Sequence, residues 1–316
     1  MNKLDYFRNF NIGSEINLAG SFAYNALSII NAAQDIYQSD QIFLFLYNAA
    51  VSVERMQKCV LFMYGDYEES GIDQFAKIIK NHGHQKLQAK IIEYTGSKLP
   101  SDQNALLLLL QDYYEKGRYS NLSANNRYDY KSEFEDYVKT CYGGSMIERH
   151  FSREDTFVTE QAKEHIGRTL GKLLYSYFEL VRKKAYELNL YTYELRNGSP
   201  AQKVFLNHFP KRSLQAVNDS ERNSLAELIV FISNSTETTG FLNFIRSIQP
   251  LDLDPHMIQE YLVDIMNRQI PQSLVDEVAS IYEDMAPKEV QERKEYLSVI
   301  GATHVYFDED KDTEDD

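Results

Sequence analysis

Glu54 and Lys58 lie four residues apart, acid first, inside the stretch Ala49-Ala50-Val51-Ser52-Val53-Glu54-Arg55-Met56-Gln57-Lys58. On a helix this spacing puts carboxylate and ammonium on one face in the favourable order. The resulting structural ion pair is worth about 0.2–0.5 kcal/mol. His82-Gly83-His84 offers two imidazoles, but a separation of two points them to different sides of a helix, so they do not read as a metal pair. No HExxH occurs, and neither a metal nor another cofactor is expected. The phosphate loops GxxxxGK(S/T) and GxGxxG are missing, as is the GxSxG of serine hydrolases. A second constellation is aromatic and basic. Arg118, Arg127 and Lys131 stand among Tyr128 and Tyr130, residue types able to grip phosphates and stack the bases of single-stranded RNA. The plainer role for such tyrosines is at a core edge or a protein interface.

The elements that must position these residues are helical. Only 7 prolines and 14 glycines punctuate 316 residues, and the long segments carry a spacing of three and four. Helices are expected over Ile16–Tyr37, over Gln41–Tyr64, over Ile72–Tyr94 with an interruption at His82–His84, and around Ala105–Leu110 behind Asp102. The second is apolar on most sides, as a central bundle helix should be. Residues 117–130 read as a polar surface insertion, followed by a short helix from Ser132 to Gly143. The longest periodic segment runs from about Asp155 to Leu195, and Asn197-Gly198-Ser199-Pro200 stops it. Beyond it come shorter helices at Ser220–Ser233, Glu237–Ile248, Pro255–Asn267, Gln272–Asp284 and Pro287–Ser298. Only Thr303–Phe307 looks like a strand. The fold class is all-α.

Charge divides the chain in the same place. The whole carries 33 basic and 47 acidic side chains, a formal −14. Residues 223–316 hold 20 of the acids and 6 of the bases, so the first 222 residues are neutral overall. This gives a helical bundle over 1–210, an acidic helical domain over 220–307, and a self-repelling, disordered tail over 308–316. Bulk charge excludes a protein that coats nucleic acid or anionic membrane, but leaves the neutral part free to bind RNA. The acidic part suits a basic protein surface. Two cysteines, Cys59 and Cys141, allow neither a disulfide framework nor a four-thiolate metal site, which fits the cytoplasm. No stretch has the roughly 18 uninterrupted apolar residues of a membrane span, so no membrane partner is expected.

An apolar helix of the form AA-x-x-x-E-x-x-x-K, then a turn and a short H-x-x-L segment, resembles the HEPN four-helix bundle. Ala49, Ala50, Glu54, Lys58, His84 and Leu87 carry the resemblance, and Arg196-Asn197 matches the Arg-Asn typical of a later helix boundary. It covers roughly residues 17–208. The resemblance implies a HEPN-like bundle that dimerises and acts in prokaryotic antiviral defence, stress response or a toxin–antitoxin pair. Active members are metal-independent ribonucleases in which Arg-x(4–6)-His motifs meet across a dimer: histidine does acid–base work and the guanidinium stabilises phosphorane charge. Here the separation is one residue at Arg149–His150 and ten or more elsewhere, twelve at Arg196–His208, and none fits that motif. The leading expectation is therefore a non-catalytic or degenerate interaction module associated with RNA, working as a homodimer or with a protein partner. The alternatives are a ribonuclease toxin pairing Arg196 with His208 or His84, and a structural adaptor with no nucleotide ligand.

Overall fold

A computed structural model describes residues 3–33, 35–37, 40–65, 75, 80, 82–122, 128–150, 155–190, 195, 199–206, 214–237, 239–300, 302, 305 and 307. The chain is all-α apart from one two-stranded hairpin among the described residues, and it divides into two compact units, Met1–Asp219 and Ser220–Asp316.

The first unit is built around one central helix, Gln41–Tyr64. In chain order it contains α1 (Lys3–Tyr6), a π-helical turn (Phe7–Asn11), α2 (Ile12–Ala32), α3 (Gln41–Tyr64), α4 (His84–Thr95), α5 (Ser101–Asp112) prolonged by a second π turn (Tyr113–Gly117), α6 (Tyr130–Tyr142), the hairpin β1 (Ile147–His150) and β2 (Asp155–Val158), α7 (Glu160–Glu187) and α8 (Pro200–Phe205). Helix α3 has the bounds its periodicity predicts and packs against α2, α4, α5, α6 and α7. Ala19, Gly20, Ala23 and Ala26 of α2 are buried, as are Ala49, Ala50 and Ser52 of α3. Small side chains allow close approach, and Ser52 Oγ donates to the Ala19 carbonyl at 2.7 Å. A Cβ on Gly20 would overlap the backbone of Ala201 at the start of α8. Gly20→Ala should therefore cost about 1–3 kcal/mol, the usual penalty for overpacking, read as a lower denaturant midpoint.

Helix α7 lays Ile166, Leu170, Leu173, Leu174, Tyr177 and Val181 into the core. Its buried Tyr177 hydroxyl donates to Gln88 Oε1 at 2.8 Å and accepts from Gln57 Nε2 at 3.2 Å. Helices α3, α4 and α7 are thereby locked in one register. The ends of α7 differ from expectation. Residues 155–158 form a strand, paired antiparallel with Ile147↔Val158 through His150↔Asp155, and Thr159 caps the helix by accepting from the Ala162 N–H. Helical periodicity overreached because Thr156 answers to a distant partner: its N–H donates to Asp35 Oδ2 at 2.6 Å and its carbonyl accepts from Ile36 N at 2.8 Å. At the other end α7 stops at Glu187, where Asn189 turns left-handed. Of the strand expected at Thr303–Phe307, three residues lie outside the described ones. Residues 308–316, expected as a tail, lie outside them too.

Near this hairpin, Glu135 of α6 is 2% exposed yet ionised. It accepts from the Tyr37 hydroxyl and from Arg149 Nη2, each at 2.5 Å, and pairs with Lys139. Burial opposes its charge, but these three bonds prevail and hold its pKa down at about 2.

The second unit contains the later part of α9 (Leu214–Asn234), then α10 (Gly240–Ser247), α11 (Ile258–Met266), α12 (Gln272–Glu283) and α13 (Pro287–Ser298). Proline opens α13 at its first turn, where a missing N–H costs nothing. Glu277 of α12 accepts from the Tyr261 hydroxyl and from the Asp254 N–H, each at 2.5 Å. That hydrogen bond, ahead of burial, pushes the Tyr261 phenol up to about 12. No helix among the described residues is long and apolar enough to cross a membrane.

Candidate functional site

The polar residues of α3 interrupt an otherwise buried helix on one side. Tyr47, Val51, Glu54, Arg55, Lys58 and Phe62 recur at helical spacing and form one wall of a pocket of about 660 Å³. Helix α2 supplies Ile12, Glu15 and Phe22, and the segment before α4 supplies His82. Both π turns reach it, the first through Phe7 and Asn11, the second through Tyr114. A π turn shifts the residues after it around the helix axis, and such turns recur at functional sites.

Glu54 organises the polar half. Its Oε1 accepts from Lys58 Nζ at 2.5 Å and lies 3.0 Å from His82 Nδ1. A carboxylate offers only acceptors, so Nδ1 carries the hydrogen when this contact forms. The His82 side chain is 54% exposed. Glu54 Oε2 is a buried acceptor with no hydrogen-bond partner among the described residues. Beside it, Arg55 pairs with Glu15 and lies 5.6 Å from the centre of the Phe22 ring. Tyr114 closes the other side, its ring 5.8 Å from His82 and with the Arg118 guanidinium over it at 4.2 Å. Burial first, and the Glu54 charge second, raise the Tyr114 phenol, which keeps it a neutral donor at pH 7. Chemically, the pocket joins aromatic faces, fixed cations and one imidazole oriented by a carboxylate. No group of His, Cys, Asp and Glu among the described residues has the arrangement of a metal site. Cys59 touches the pocket, but burial pushes its thiol far up and leaves it unreactive.

The residues singled out in the sequence are dispersed. Arg196, His208 and Arg127 lie outside the described residues. His84 is fully buried at the start of α4, and neither ring nitrogen has a hydrogen-bond partner among the described residues. Burial, then the charges of Lys58 and His82, lower its pKa to about 3. It stays neutral at neutral pH and has no solvent path for proton exchange in this arrangement. Arg118 stacks between Tyr114 and Tyr119, the latter at 4.7 Å. Tyr130 turns inward, its ring edge-on to Phe43 at 5.6 Å and to Tyr113 at 6.1 Å, leaving no face for a base. Tyr128 packs beside Gly117, and Lys131 Nζ donates to the Tyr37 carbonyl. Those two serve the bundle's own packing in this arrangement. His82, Tyr114, Arg55 and Tyr47 went unread as a site. The signal was the polar and aromatic stripe along α3, of which only Glu54 and Lys58 stand out by spacing alone. No family model matches this chain, and no curated protein or solved structure is significantly similar to it.

Proposed function

We propose that the first unit is a HEPN-like, RNA-associated interaction module, and that the α3 pocket receives a base and its phosphate. One observation carries this reading: Phe22, Tyr47 and Tyr114 bring aromatic surface to the same concavity as Arg55 and Lys58. Stacking serves any base, and the cations serve the backbone. Within this reading the protein acts in a prokaryotic defence or stress setting in the cytoplasm, as a homodimer or with a protein partner. Fluorescence anisotropy with single-stranded RNA tests it. Tyr114→Leu should weaken binding roughly 5- to 100-fold, as loss of one stacked base does. Arg55→Gln should lower the slope of log affinity against log salt by about one contact. Absence of RNA binding, or a flat salt dependence, sinks this reading and leaves the adaptor without a nucleotide ligand.

The contact between Glu54 and His82 favours a second reading, a metal-independent ribonuclease in which His82 takes the acid–base role. Incubation of total RNA with wild type, His82→Asn and Arg196→Ala separates the two. The interaction module leaves RNA intact in all three. Cleavage by wild type that is lost in His82→Asn establishes the nuclease.

A further inference from the structure

Among the described apolar residues of the second unit only Leu242, Tyr261 and Pro271 are buried, while Ile258 is 39% and Val263 is 51% exposed on α11. A groove of about 500 Å³ runs along this face, lined by Pro255, Ile258, Leu262, Val263 and Met266, with Arg222 of α9 at its side. Side chains of this kind at helical spacing are what an amphipathic helix packs against in helix-in-groove recognition. Charge decides the occupant. Residues 220–316 carry 21 acidic and 7 basic side chains. A second copy would bring the same negative charge, and nucleic acid or an anionic membrane would be repelled likewise. A helix with an apolar stripe and a lysine- or arginine-rich opposite face meets both properties at once.

We propose that the second unit is a docking module for a cationic amphipathic helix of a partner protein, seated in the groove along α11. Its apolar stripe covers Ile258 and Val263, and its basic face answers the net negative charge of the unit. The proposal is independent of the RNA reading of the first unit.

The test uses the full chain and two synthetic probes. One is an amphipathic helical peptide of leucine and lysine, about five turns or 18 residues long. The other has glutamate at every lysine position. Anisotropy should show the lysine peptide binding, more weakly as salt rises, and the glutamate peptide not binding. The double variant Ile258→Ser, Val263→Ser changes no charge and alters exposed positions, so its thermal unfolding should match wild type while its affinity falls tenfold or more. No binding of the lysine peptide overturns the proposal. Undiminished binding to the double variant also overturns it, because attraction would then be charge alone. A concentration-dependent dimer in light scattering that disappears in the double variant would assign the groove to a second copy instead.

Discussion

His84→Leu is expected to stabilise the first unit, and more so as the pH falls. At neutral pH the wild-type imidazole is uncharged and buries two ring nitrogens with no partner among the described residues. An unsatisfied buried polar atom costs about 1–3 kcal/mol, and leucine removes both at little change in volume. The acid effect adds to this. The folded pKa of about 3 lies below the ordinary 6.5, so between these values the unfolded chain takes up a proton that the folded chain refuses. Stability is therefore full above pH 6.5 and is lost as pH falls toward 3. At pH 4.5 the loss is on the order of 3 kcal/mol from this one side chain. Urea denaturation from pH 7.5 to 4.5 checks it: wild type should lose stability across that range and His84→Leu should be much flatter. Parallel curves for the two proteins would show that His84 is hydrated or partnered in solution. The same variant bears on catalysis. If RNA cleavage were found and survived His84→Leu, that imidazole would be excluded as the acid–base group.

Glu135→Gln is expected to cost on the order of 3 kcal/mol at pH 7, from the fall of its carboxyl from an ordinary 4.5 to about 2. The direction follows from the same linkage: a depressed carboxylate contributes stability that is complete above 4.5 and is lost as pH falls through 2. The penalty of the glutamine variant should thus shrink from pH 4.5 downward. Measured in the His84→Leu background, the two acid windows separate. The cost is large because three donors from three parts of the chain converge on one nearly buried carboxylate. Removing the charge leaves Lys139, Arg149 and the Tyr37 hydroxyl facing a weaker acceptor. An equal penalty at pH 7 and pH 3 would show that packing, not charge, holds this junction.

The helices were legible wherever burial follows local periodicity. Gln41–Tyr64 and Pro287–Ser298 begin and end where the apolar spacing, Gly65 and Pro287 place them. The remaining helices of the second unit fall within a few residues of expectation, although the first, α9, starts earlier, at Leu214. The hairpin was not legible, because Thr156 is held by Asp35, 121 residues away, and no local pattern encodes that bond.

The site divides in the same way. Spacing alone put Glu54 and Lys58 on one helical face, since a separation of four fixes their geometry. Which histidine would join them was a tertiary matter. His82 and His84 are two residues apart and chemically identical, yet one meets Glu54 in the pocket and the other is buried at the start of α4. Tyr114 and Tyr130 are likewise the same residue type, but a π turn brings one to the pocket while the core claims the other. The sequence by itself determined the helical class, the central helix and the division of charge, because these depend on neighbours three and four residues away. The tertiary structure alone decided which imidazole and which tyrosine face solvent, because that depends on packing between helices far apart in the chain.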